Sequence, residues 1–217
     1  MGVALARTIK QMFLFNKSSG IKYLAKRAVE FLTRYAIRYH VPPRENKGPL
    51  FTFDDGPLPS TLGILDILDE YKEKAVFFLV AENVQKYPQI AAEIARRGHS
   101  IGSHGFRHIN MKKLSLSEFS RQIKESFDIV EKTCKIKTRY FRPPFGQISL
   151  IQAIWLLMRG TIVFFWSCGV SQSGEIDFIN PGIEKNKKLY LNKNPLIVLL
   201  HDYMQPDIIR AGLKKLK

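Results

Sequence analysis

Short unbroken apolar runs alternate along this chain with longer stretches whose apolar residues recur every three or four positions. The runs Pro49–Phe53, Ala75–Val80, Thr161–Trp166 and Leu196–Leu200 have the length and composition of buried strands. The mixed run Gly98–Gly102 and a short segment ending at Phe141 read as two further strands. Between them, helical spacing covers about 60–72, about 83–97, Ser115–Thr133 and Ile148–Met158. Strands separated by helices of this length predict a parallel sheet or barrel. No internal repeat or low-complexity tract interrupts the pattern.

Polar residues gather where the apolar runs stop. The first run delivers Asp54 and Asp55 into a Gly56-Pro57 turn. Two adjacent carboxylates repel, so they sit most easily beside a cation or with one of them protonated, although Asp, Gly and Pro are also ordinary turn formers. After Gly98–Gly102 come His104 and His108, an i, i+4 pair that can converge on one metal. Two imidazoles and one carboxylate suit zinc or another divalent ion, and a lone histidine pair is otherwise solvated or structural. His99 reads as structural, and His40 lies outside the constellation. Arg142-Pro143-Pro144-Phe145-Gly146 is a stiff loop carrying one arginine, suited to holding a carboxylate. The run Leu196–Leu200 ends in His201-Asp202, which places an imidazole at a strand end as a general acid. Each of the last two is also an ordinary connection or core strand.

In this order the motifs TFDDGP (52–57), SHGFRH (103–108), RPPFG (142–146) and LLHD (199–202) resemble the polysaccharide deacetylase family, the NodB-homology domain of carbohydrate esterase family four. The resemblance covers about residues 49–202. It implies an α/β fold: a distorted (β/α) barrel, here with an N-terminal helical extension over residues 1–48 and a catalytic domain over 49–217. It also implies a divalent metal, zinc first with cobalt, nickel or manganese as other occupants, and removal of an N-linked acetyl group from an amino sugar. Carried onto this chain, Asp54 is the base, Asp55, His104 and His108 hold the metal, and Arg142 orients Asp54. His201 is the acid, the backbone amide of Phe145 helps bind the oxyanion beside Pro144, Leu199 lines the acetyl pocket, and Trp166 is wall or core. The metal would lower the pKa of water and polarise the acetyl carbonyl, with no nucleophilic side chain required.

Three departures from the family pattern stand out. Phe145 replaces a usual tyrosine, which matters little if the backbone amide does the work. After the Trp166 run, Gly169, Gln172 and Ser173 stand where the family carries two acids and a second tryptophan, so the tuning of His201 is open, with Glu175 or Asp177 as substitutes. No closing strand of the family's kind follows Pro206–Lys217, which fits either a shortened chain or a more open barrel. A catalytically weakened saccharide-binding protein on the same fold is therefore the alternative to an active deacetylase.

Charge then widens the choice of partner. The net charge is +15 over 217 residues. In residues 1–48 the charged stripe Lys22, Lys26, Glu30, Arg34 and Arg38 has an apolar companion face of Ile21, Leu24, Ala28, Phe31, Leu32 and Tyr35. This reads either as an interfacial helix on an anionic membrane or as a helical flap over the barrel. The segment Val3–Phe15 is too short and too charged to span a bilayer and has no clear signal-peptide core, which predicts a cytoplasmic or membrane-peripheral protein. The basic charge suits an anionic membrane or a phosphate-bearing glycolipid. Nucleic acid is disfavoured because no recognition module accompanies the charge. The partner that the family resemblance implies is an N-acetylated glycan or glycolipid. Cys134 and Cys168 lack metal or redox spacing and read as two free buried thiols or one disulfide.

Overall fold

The computed structural model describes residues 37–38, 48–178 and 196–216. The strands are β1 Ile37–Arg38, β2 Leu50–Asp54, β3 Val76–Leu79, β4 Ser100–Ser103 and β5 Tyr140–Phe141, followed by β6 Ile162–Phe164, β7 Cys168–Val170, β8 Ile176–Phe178 and β9 Ile197–His201. The helices are α1 Thr61–Glu70, α2 Ala81–Lys86, α3 Pro88–Arg96, α4 Leu116–Cys134, α5 Leu150–Met158 and α6 Pro206–Leu216. Among the described residues the sheet runs β1-β6-β5-β4-β3-β2-β9-β7-β8. Every pairing is parallel except the β7–β8 hairpin. This is the distorted, incomplete (β/α) barrel that the family resemblance implies, built on the parallel sheet that the alternation of runs predicts.

β2 shows why the sheet needs cover on both faces. All five of its residues are buried. Phe51 and Phe53 point one way, into the large core with Phe77, Leu79, Val198, Leu200, Ile64, Leu65 and Leu68 beneath the outer helices. Leu50 points the other way, into an inner cluster with Val76, Phe78, Phe164 and Ile197, while a third cluster around Phe119, Phe141 and Leu156 seats α4 and α5. Strand alternation therefore carries Leu50, Thr52 and Asp54 on the inner face. The parallel register Asp54↔His201 sets base and acid candidates opposite one another at the same edge.

The element boundaries follow local chemistry. Ser115 and Ser149 each cap a helix in a reciprocal box, with Glu118 and Gln152 respectively. The single helix predicted over 83–97 is instead two. Pro88 lacks an amide hydrogen and displaces Tyr87 to φ −129°, ψ 57°, so α2 stops and α3 restarts at the proline. The stretch after Trp166 forms the β7–β8 hairpin, turning through Ser171–Gly174, and Pro206–Leu216 forms a helix; neither element stood out in the periodicity. Both cysteines are buried and they form no disulfide with each other, with burial raising the Cys134 thiol to about 11. The proposed extension over residues 1–48 lies outside the described residues apart from Ile37, Arg38 and Gly48. No helix among the described residues is long and apolar enough to cross a membrane.

Candidate active site

The carboxyl ends of the parallel strands bring the polar motifs to one edge, where barrel enzymes collect their chemistry. β2 ends in Asp54, and Asp55 then adopts φ 74°, a left-handed conformation that costs a non-glycine residue roughly 1–3 kcal/mol. Neighbouring groups fix that turn. Asn83 Nδ2 donates to the Asp55 carbonyl at 2.7 Å, Val80 N to the Gly56 carbonyl at 2.8 Å, and Asp202 N to the Asp54 carbonyl at 3.0 Å. Gly56 is required here because a Cβ would run into the Asp202 carboxyl.

Asp54 and Arg142 form a buried pair. Arg142 is fully buried and its Nη1 donates to Asp54 Oδ1 at 2.8 Å and to Thr52 Oγ1 at 2.7 Å. Its Nη2 donates to the Phe165 carbonyl at 3.1 Å, and its guanidinium lies 4.3 Å from the Phe78 ring centre. Burial pulls the Arg142 pKa down while the Asp54 carboxylate opposes that shift, so the cation persists because the anion is beside it.

Asp55 turns to the histidines. Its Oδ1 lies 3.6 Å from His104 Nε2 and 3.3 Å from His108 Nε2. His104 Nδ1 lies 2.7 Å from the Arg142 carbonyl, which can only accept, so Nδ1 carries the proton and Nε2 offers a lone pair to the site. Burial lowers the His104 pKa against the opposing pull of Asp54 and Asp55, favouring the neutral ring. One ligand atom from each of Asp55, His104 and His108 lies within 4.8 Å of the others. Asp55 Oδ1 is buried and has no hydrogen-bond partner among the described residues. An orphaned carboxylate oxygen facing two imidazole nitrogens fits a divalent cation.

Of the remaining predicted residues, Phe145 and His201 lie at the same edge. Phe145 has φ 58° and is 58% exposed, with its ring 4.5 Å edge-on from His108, while Pro144 is buried. Trp166 is half-buried in the inner cluster, and its ring would meet a Cβ at Gly146 at 2.9 Å. Leu199 is half-buried on β9 in register with Thr52. His201 ends β9, and its Nδ1 is buried without a partner among the described residues. Gly169 sits within β7, and Gln172 and Ser173 are exposed in the hairpin turn. Of the proposed replacement acids, Glu175 is exposed and paired with Lys215 Nζ at 3.0 Å, and Asp177 is exposed on β8. His99 is buried as a structural residue, its Nδ1 accepting from Ala75 N at 3.3 Å. His40 lies outside the described residues.

Five supporting residues, Thr52, Ser60, Thr61, Asn83 and Asp202, were given no role in the motif reading, although Thr52 and Asp202 stand within the motifs. Thr52 relays from Arg142 to the Val198 carbonyl at 2.7 Å, and its signal was a hydroxyl inside an apolar run. Asn83 holds the Asp55 turn. Asp202 is fully buried, with its carboxyl hydrogen-bonded by Thr61 Oγ1 and its carbonyl by Ser60 Oγ at 2.6 Å. Burial pushes the Asp202 pKa up to about 8, outweighing the Thr61 bond, and the nearby Asp54 and Asp55 add to the rise. The signal for Asp202 was a carboxylate directly following a strand.

An open parallel barrel with a buried carboxylate–arginine pair beside a two-histidine, one-carboxylate cluster defines a class of barrel able to hold a metal. The family profile described as polysaccharide deacetylase matches residues 42–153, and the chain belongs to that family. A peptidoglycan-N-acetylglucosamine deacetylase of Bacillus cereus is 36% identical over 138 residues, covering 63% of this chain and 50% of the relative. A second Bacillus cereus protein of that name is 33% identical over 171 residues, covering 76% of this chain and 77% of the relative. A crystal structure of a peptidoglycan N-acetylglucosamine deacetylase superposes with a TM-score of 0.70 at 28% identity, covering 86% of this chain and 89% of the other. The chain thus spans half the length of the first of these relatives.

Proposed function

We propose that this chain is a metal-dependent hydrolase that removes N-linked acetyl groups from an amino sugar in a polysaccharide, an oligosaccharide or a lipid-linked glycan. The observation that carries the reading is the orphaned Asp55 Oδ1 facing His104 and His108 while Asp54 is held separately by Arg142. The relatives that carry peptidoglycan in their names make cell-wall glycan the first substrate to test.

Asp55, His104 and His108 would hold the ion. When bound, a divalent ion supplies Lewis acidity, which makes water a stronger acid and polarises an acetyl carbonyl. Asp54 takes the proton of the attacking water, and the Arg142 guanidinium at 2.8 Å holds its carboxylate in place. The half-buried walls offered by Trp166 and Leu199 shield the acetyl group from bulk solvent. The backbone N–H of Phe145 donates to the developing oxyanion. His201, in register with Asp54, returns a proton to the departing amine.

The test is acetate release by zinc-supplemented protein from purified peptidoglycan and N-acetylchitooligosaccharides. Wild-type release that Asp54→Asn abolishes supports the reading. No acetate from either glycan, or an Asp54→Asn variant as active as wild type, refutes it. One observation favours the second reading, a saccharide-binding protein with weakened catalysis: His201 Nδ1 has no carboxylate partner among the described residues. Glycan binding by wild type without turnover would select it. The anionic-membrane reading of residues 1–48 is tested by liposome co-sedimentation, in which removal of residues 1–46 is expected to abolish binding.

A further inference from the structure

The acid lacks a hydrogen-bonded partner at Nδ1, yet its ring is not loose. β9 ends at His201, and the chain turns at once, with Met204 N donating to the His201 carbonyl at 3.1 Å. That turn lays the Tyr203 ring on the His201 imidazole, with centroids 5.0 Å apart and planes 22° from parallel. The turn is fastened from three sides. Asp202 N donates to the Asp54 carbonyl at 3.0 Å, Ser60 Oγ donates to the Asp202 carbonyl at 2.6 Å, and Met204 is only 4% exposed, with its sulfur 3.5 Å from His201 N. The backbone on both sides of Tyr203 is therefore fixed, although Tyr203 itself is 50% exposed.

A stacked aromatic ring restricts rotation of an imidazole about its Cβ–Cγ bond and leaves both ring nitrogens free. Its π face also attracts the cation formed when the imidazole takes up a proton. We propose that Tyr203 is a positioning residue for the acid: its stacked ring holds the plane of His201 from the face, where a carboxylate at Nδ1 would hold it from the edge. The inference rests on the deacetylase reading, because only that reaction asks His201 to protonate an amine. Tyr203 acts through its ring, so its hydroxyl is dispensable.

The experiment compares Tyr203→Ala, Tyr203→Phe and His201→Ala on two substrates, with zinc-supplemented full-length protein. N-acetylchitopentaose has an amine leaving group that needs a proton. 4-Nitrophenyl acetate releases a phenolate that needs none. Tyr203→Ala is expected to lower kcat on the amide about tenfold with KM within about twofold, and to leave the aryl ester within about twofold of wild type. Tyr203→Phe keeps the ring and is expected to stay within about threefold of wild type on the amide. His201→Ala should show the same selectivity with a larger loss. An equal fall on both substrates, a raised KM with kcat intact, or an alanine variant equal to wild type each overturns the role. Thermal melting of the alanine variant separates a folding defect from the predicted effect, since a fold loss would strike both substrates. Should wild type leave N-acetylchitopentaose untouched, purified peptidoglycan serves as the amide; wild type that releases acetate from neither overturns the deacetylase reading itself, and this inference with it.

Discussion

Replacing Arg142 by methionine tests whether charge pairing organises the base. The substitution keeps an unbranched apolar side chain against Phe78 but removes the donors to Asp54, Thr52 and the Phe165 carbonyl. Asp54 is 4% exposed, so its carboxylate would be left in a nearly dry site without its cation. Breaking one side of such a buried pair costs about 3–5 kcal/mol, or roughly 10 °C in melting temperature for a domain of this size. Asp54→Asn alone leaves the buried Arg142 cation without its partner and should cost a similar amount. The double variant Arg142→Met/Asp54→Asn removes both charges, so its loss should fall short of the sum of the single losses by about 2–3 kcal/mol. Urea unfolding of the four proteins at neutral pH measures the cycle, and acetate release should be lost in all three variants. Additive losses, within about 0.5 kcal/mol, would show that the two side chains are not coupled and would sink the argument.

The Asp202 carboxyl gives a pH prediction with a fixed sign. Its folded pKa is pushed up to about 8 from an ordinary 3.8, so stability present at low pH is lost as pH rises through the folded value. The whole shift corresponds to on the order of 5 kcal/mol, and Asp202→Asn should flatten the decline in urea stability measured from pH 5 to pH 9; an unchanged slope refutes the assignment. Zinc at a hundred times its dissociation constant should add about 2.7 kcal/mol of stability, seen as a raised melting temperature that chelator reverses and His108→Ala abolishes. Gly56→Ala should cost about 1–3 kcal/mol by forcing a methyl against Asp202, with wild-type melting behaviour as the contrary result. Glu175→Gln should leave acetate release within about twofold of wild type, because Glu175 is exposed and paired with Lys215; a tenfold loss would restore it as the acid's partner.

The elements visible in the sequence were those with strong local signals. β2 and β9 announced themselves as apolar runs, and α4 ran over nearly its predicted length because its capping box and amphipathic spacing agree. The fracture at Pro88 was written in the chain but was overridden by helical spacing that continues across it. The β7–β8 hairpin was missed because three-residue strands carry too little periodicity to register, and the pairing of β7 with β9 depends on residues far away. The grouping of Asp55, His104 and His108 followed from residue type and motif order, since each motif ends a strand of the same parallel sheet. What could not be read was the support beneath them. Asn83, Thr61 and Thr52 are ordinary polar residues until the fold sets them against a carbonyl, a buried carboxyl and a guanidinium.

β2 and β9 lie side by side in space but far apart along the chain: Thr52 Oγ1 bonds the Val198 carbonyl across 146 residues. During synthesis, β2 with its carboxylate pair emerges early, and its neighbour on one side, β9, arrives only after eleven other described strands and helices have been made. Until then one edge of the central strand is bare, and the Asp55 turn lacks the Asp202 tether. Base and acid are therefore joined by the last pairing that completes the interior of the sheet. Catalytic competence would mark a finished fold, and a chain stalled before β9 could present Asp54 without His201 to answer it.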